Sequence, residues 1–298
     1  MVADIWYGGR ANVLKGVSVD ESLEALSVAP DFTSGSETLG LGLRYVHRTL
    51  AGGDIYWVSN PTEQRAHVKA SFRVTGKKPQ IWHAETGLME DASYRMTADG
   101  RTVVDLDLTV NDAQFVLFID NTTQQELSLP AKTYTHFAAV DGAWTVTFDQ
   151  SMGGPASATF DKLVSYTERP ETGIKYYSGT ATYTTHLRLT KKQLQSAQGA
   201  DLLLELGDVK NLAEVTVNGQ NLGIVWKQPY CVDATAALKE GDNVIEVKVI
   251  NAWVNRLIGD QQPDATQKYT YAATSFYQAD SPLKPSGLLG PVSLVLRK

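Results

Sequence analysis

The chain of 298 residues has one cysteine, Cys231, so no disulfide can form within it. The thiol follows Tyr230 in an apolar run and reads as an inert core group. No apolar run approaches the roughly 20 residues needed to span a bilayer. Lys and Arg total 27 against 33 Asp and Glu, a formal charge of −6, and no basic block occurs. Neither nucleic acid nor an anionic membrane is therefore expected as a partner. The five histidines, at 47, 67, 83, 136 and 186, are dispersed, and none stands at metal-ligand spacing. They read as structural or solvated. The chain lacks a G-x-S-x-G nucleophile elbow. LGLGLRY, at residues 39–45, lacks the third glycine and the strand-to-helix setting of a phosphate loop. The first ten residues, MVADIWYGGR, show no basic stretch leading into an apolar core, so no signal peptide is read there.

What is present is β-structure. Residues 209–260 set the pattern. Asn218-Gly219 lies between two short β-rich runs, and this pair favours a tight hairpin because both positions need positive φ. Ile245, Val247 and Val249 then alternate with Glu246 and Lys248, as in a half-buried antiparallel strand. NAWVNRLIGD follows, too irregular for a strand and rich in hydrogen-bonding side chains.

The length suits about two domains. Residues 1–32 read as the remnant of an upstream α/β domain. Ser18 and Glu21 have capping-box spacing ahead of Val19, Leu23 and Leu26 on one helical face, and Val13 and Val17 lie in a short β-like run before them. From Leu39 to Leu129 only strands are read. The clearest is AHVKASFRV, with Val68, Ala70, Phe72 and Val74 on one face. Leu43, Tyr45 and His47 also alternate with polar neighbours. Residues 121–132 are polar and aperiodic and read as a connection. The second β-domain follows, with Trp144, Val146 and Phe148 on one face, a helical turn capped by Thr190, and a long polar and aromatic loop over residues 261–277. The expected fold is all-β: two consecutive antiparallel β-sandwiches, at 33–132 and 133–298.

Catalytic chemistry is not legible. Glycosidic hydrolysis needs two carboxylates roughly 5–9.5 Å apart, and no pair among the acids is singled out by context. The candidate site residues are aromatic and amide-bearing. They are Tyr176 and Tyr177 in KYYSGTATY, Trp226 and Tyr230 at the hairpin exit, and Asn251, Trp253, Asn255, Arg256 and Asp260 in the irregular segment. A sugar offers a C–H face to Trp or Tyr and hydroxyls to Asn, Asp and Arg. The competing reading is that Asn255, Arg256 and Asp260 tie down a loop and the tyrosines fill the core.

LRYVHRTLAGGDIYWVSNPTEQRAHVKASFRV and PQIWHAETG resemble the sandwich that follows the catalytic barrel in α-L-rhamnosidases of glycoside hydrolase family 106. LVSYTERPETGIKYYSGTATY, VTVNGQNLGIVWKQPY, NAWVNRLIGDQQ and SGLLGP resemble that family's C-terminal jelly-roll, akin to galactose-binding-like domains. The resemblance implies an exported bacterial enzyme, periplasmic or extracellular, acting on rhamnose-containing plant glycans. This chain would be its C-terminal part. The family's catalytic glutamates belong to an upstream barrel and match no residue here, so no catalytic residue is carried over. Carbohydrate and the missing catalytic domain are the partners implied. No cofactor is expected; jelly-rolls of this kind often carry a structural Ca²⁺, but no Asp-rich loop here demands one. Three roles stand open: a carbohydrate-contacting ancillary segment, a scaffold bracing the barrel, or a stand-alone carbohydrate-binding module.

Overall fold

The computed structural model describes residues 2–8, 13–35 and 42–298. It divides into two units, Met1–Leu129 and Pro130–Lys298. The beginning of the strand-rich stretch, at Leu39, lies outside the described residues.

The first unit is built from two five-stranded antiparallel sheets. One orders Phe32–Thr33, Ala66–Phe72, Thr102–Leu108, Tyr94–Met96 and Glu126–Leu127 across the sheet; the other orders Arg44–Leu50, Gly53–Asn60, Asp112–Asn121, Lys77–His83 and Met89–Asp91. Alternation explains the core. Val68, Ala70 and Phe72 turn inward and meet Tyr56, Val116 and Phe118 from the other sheet in one apolar cluster. The Arg44–Leu50 strand departs from the expected alternation: it pairs on one side only and is exposed along almost its whole length, with Tyr45 41% and Val46 50% exposed. His47 is held between Asp31, at 2.8 Å, and Asp54, at 2.9 Å, and its ring stacks on Tyr56 at 4.0 Å.

The N-terminal segment, expected as an α/β remnant, carries two short helices among its described residues. The capping box closes between Ser18 and Glu21 and starts a helix over Val19–Ala25. A second helix spans Val2–Tyr7. The β-like run at 13–17 is not part of a strand among the described residues. Phe32, 8% exposed, pairs with Phe72 and belongs to the first sandwich. A boundary at 32/33 thus cuts a strand, and the units part at Leu129/Pro130 rather than after Lys132.

The second unit packs a six-stranded sheet against a four-stranded one. The larger orders Ser157–Phe160, Trp144–Phe148, Thr180–Leu189, Gly241–Ile250, Leu212–Val217 and Gln220–Val225; the smaller orders Tyr134–Ala139, Ser293–Arg297, Asp201–Glu205 and Cys231–Asp233. Every strand pair is antiparallel. Trp144, Val146, Tyr183, Val247 and Val215 from the larger sheet and Leu204 and Leu294 from the smaller share one core. Each such fully buried apolar side chain contributes about 1.5–3 kcal/mol. The Asn218-Gly219 turn has φ of 52° and 80°, and Val217 pairs with Gln220 across it. The Asn218 side chain also donates to the Ala237 carbonyl at 2.8 Å and accepts from the Val244 N–H at 3.0 Å, which fixes the hairpin against its neighbours. NAWVNRLIGD contains a six-residue helix, Val254–Gly259.

Burial, then the Glu205 and Asp233 charges, pushes the Cys231 thiol up to about 12. At pH 8 it is therefore expected to resist iodoacetamide in the folded chain and to react once the chain is unfolded in urea. Because the folded value is raised, this group's contribution to stability is whole below the unfolded value of about 8.5. It is lost as pH climbs toward 12.

Candidate functional site

Register decides what meets at one end of the six-stranded sheet. Phe148 pairs with Ala181, Thr180 with Ile250, Ile250 with Leu212, and Ala213 with Val225. These pairs close one edge of the ladder, so five segments emerge together: residues 149–156, 176–179, 210–211, 226–230 and 251–260. All nine residues expected at a sugar site lie on three of them.

Exposure divides the nine. Tyr177, Asn251, Asn255, Arg256 and Asp260 are buried, so the expectation that they face a ligand is corrected: they build the frame. The Tyr177 hydroxyl accepts from the Asp149 N–H at 3.0 Å and donates to the Thr180 carbonyl at 2.7 Å. The Asn251 amide accepts from the Gly179 N–H and donates to the Tyr177 carbonyl, both at 2.9 Å. Asn255 accepts from the Lys284 N–H at 2.8 Å and donates to the Lys284 carbonyl at 2.7 Å. These side chains satisfy backbone groups that loops would otherwise leave unpaired.

Arg256 and Asp260 stand one helical turn apart and form a buried ion pair at 3.5 Å. Arg256 also donates to the Met152 carbonyl at 3.3 Å, and its guanidinium lies 4.8 Å from the Tyr269 ring centroid. Burial draws this guanidinium below the usual arginine range, against the pull of Asp260. Asp260 Oδ2 accepts from the N–H groups of Tyr269 and Thr270 and from the Thr270 hydroxyl, at 2.9, 2.8 and 2.6 Å. The pair thereby ties residues 150–154 to the helix and the helix to the long loop. Two glycines make room for it. A Cβ on Gly259 would lie 2.5 Å from Arg256 Nη2, and one on Gly153, whose φ is 80°, would lie 2.6 Å from the Tyr269 ring.

The other four keep surface. Trp226 and Trp253 are 59% and 53% exposed; Tyr176 and Tyr230 are half-buried. Ile224 (63% exposed) stands two residues before Trp226, and Ile250 (40%) pairs with Leu212 on the strand beside it. Lys248 and Glu214 form an ion pair at 3.1 Å between those two strands. The accessible part of this end is thus aromatic and aliphatic surface with the Lys248–Glu214 and Lys210–Asp208 ion pairs nearby.

The sequence marks the long loop over residues 261–277 as polar and aromatic without singling out a site residue in it. That loop borders an open pocket of about 270 Å³ lined by Asp260, Gln261, Lys268, Thr270, Tyr271 and Phe276, among others. The signal was there: TYAATSFY, residues 270–277, intersperses hydroxyls and aromatic rings with no apolar face of strand or helix period. Among the described residues no three His, Cys, Asp or Glu side chains converge to hold a metal.

A family model described as α-L-rhamnosidase matches residues 1–96. A second, described as glycosyl hydrolase 2 galactose-binding domain-like, matches residues 164–280 and so encloses the site. A solved rhamnosidase from Novosphingobium sp. PP1Y is 43% identical, with a TM-score of 0.88 over 99% of this chain and 28% of that one. The chain thus resembles the α-L-rhamnosidases of glycoside hydrolase family 106 over residues 1–96, and the solved rhamnosidase over almost its whole length. A putative β-glucuronidase from Formosa agariphila is 34% identical over 278 residues, 84% of this chain and 23% of the relative. The chain therefore spans about a quarter of the length of each of these two relatives.

Removing one partner of a buried ion pair strands the other charge, at a cost of about 3–5 kcal/mol. Arg256→Ala and Asp260→Ala are each expected to lose that much in urea denaturation. Trp226→Ala, at an exposed position, is expected to stay within about 0.5 kcal/mol of the parent.

Proposed function

We propose that this chain is the carbohydrate-contacting ancillary part of an α-L-rhamnosidase, and that the carboxylates able to break the glycosidic bond lie elsewhere in a longer, exported protein. One observation carries the reading: a buried polar frame presents Trp226, Trp253 and Tyr176 as accessible rings at a single end of the galactose-binding-like unit. Sugars stack their C–H faces on such rings, and the neighbouring ion pairs suit hydroxyls. The likeness to a rhamnosidase supports rhamnose-containing glycans as the ligand class. No cofactor or metal is invoked.

A bracing role is a second reading for the first unit. Its two N-terminal helices leave Trp6 50%, Tyr7 83%, Val19 75% and Leu26 56% exposed. Apolar surface of this kind, where it forms a contiguous patch, marks a contact with other protein.

Affinity electrophoresis of the full chain through gels containing rhamnogalacturonan tests the proposal. The chain should be retarded. Trp226→Ala and Trp253→Ala should each weaken retention about tenfold, equivalent to ~1.4 kcal/mol. Unretarded migration of the folded chain in that gel would remove the proposal.

A further inference from the structure

The larger sheet of the second unit turns Thr182, Thr184, Glu246 and Lys248 away from its core. In the first unit, the sheet that holds Ala66–Phe72 turns away His67, Lys69, Asp105 and Asp107. Solvated sheet faces are ordinarily polar in this way. The other sheet of the first unit does the opposite. Its register places Val46, Trp57, Phe115, Trp82 and Met89 side by side in one row across all five strands. That row lies on the face away from Tyr56, Ile81, Val116 and Phe118 of the core. The next row on the same face is Arg48, Ile55, Leu117, Gln80 and Asp91. Val46 is 50% and Met89 60% exposed, and the three rings between them are half-buried. Leu117, at the centre, is 3% exposed without belonging to the core cluster. Continuous apolar runs such as IYWV at 55–58 and FVLFI at 115–119 are what strands covered on both faces carry.

We infer that this outer face is where two copies of the chain meet, face to face, about a two-fold axis along the central strand, Asp112–Asn121. The order of the rows selects the partner. The first row reads aliphatic, Trp, Phe, Trp, aliphatic, so rotation about Phe115 lays Trp57 over the second copy's Trp82 and Val46 over its Met89. The same rotation brings Arg48 to the second copy's Asp91. Arg48 takes part in no ion pair among the described residues, and Asp91 holds Lys78 at 2.7 Å with its carboxylate still half exposed. A surface that complements itself in this way is what a two-fold interface requires. An axis across the strands would instead set Arg44 against the second copy's Arg48, and like charges facing each other are costly. Face-to-face sheets keep their strands within about 30° of each other, so row can meet row. The inference stands apart from the carbohydrate reading.

Sedimentation equilibrium of the full chain tests it. The mass should rise from 32.5 kDa toward twice that value as concentration climbs through the micromolar range. Val46→Asp and Met89→Lys alter exposed positions and should fold normally by circular dichroism; each should weaken association about tenfold. Arg48→Asp should weaken it too, and adding Asp91→Arg should restore it, because the two charges then trade places. A bis-maleimide of about 10 Å, the spacing of packed sheets, reads the axis. It should join Val46→Cys chains to Met89→Cys chains but neither variant to itself, with the parent chain and its one thiol, Cys231, as the control. A chain that stays at 32.5 kDa overturns the inference and leaves the face to a different partner. So does a dimer that Val46→Asp and Met89→Lys leave intact, a charge exchange that restores nothing, or Val46→Cys chains that join one another as readily as they join Met89→Cys.

Discussion

Ten consecutive cross-strand pairs between Thr180–Leu189 and Gly241–Ile250 hold the second unit in register, and its chemistry depends on them. A slip of one residue by Gly241–Ile250 would turn Val247 to solvent and Lys248 into the core beside an unmoved Tyr183. Register also decides which loops share an end. Segments as far apart in sequence as residues 149–156 and 251–260 meet because Phe148 pairs beside Ala181 and Thr180 beside Ile250.

Within that end, the Arg256–Asp260 pair organises rather than stabilises. An apolar pair of equal volume is often as stable as a buried ion pair. What an apolar pair would not do is accept three bonds from residues 269–270 and donate one to Met152. Those bonds place the long loop against the helix and form the pocket wall. The accessible tryptophans lie on neighbouring segments, and the Asn251 and Tyr177 bonds fix the turn between them and the sheet.

Much of the fold was legible because β-alternation is a local property. Val68, Ala70 and Phe72, and likewise Trp144, Val146 and Phe148, declare their inner face within seven residues, and Asn218-Gly219 declares its turn within two. Arg44–Leu50 misled because an edge strand can alternate in sequence without burying either face. A β-like run such as 13–17 becomes a strand only with a partner, which sequence does not name. The nine candidate residues were found by type, and register brings them together. Which of them face solvent was hidden, since Asn251 and Asn255 are consumed by backbone groups of Tyr177, Gly179 and Lys284, far away in sequence. The pocket was hidden for the same reason: its wall joins Asp260 to residues up to 17 positions later.

The chain holds six tryptophans, each of which gives an indole N–H resonance. The most direct test of a sugar surface at the sheet end follows those signals in the full chain as rhamnogalacturonan oligosaccharides are added. The account predicts that Trp226 and Trp253 shift with a shared saturation curve while Trp144, 1% exposed in the core, stays still. Saturable shifts confined to the other tryptophans, or no shift at all, would contradict it.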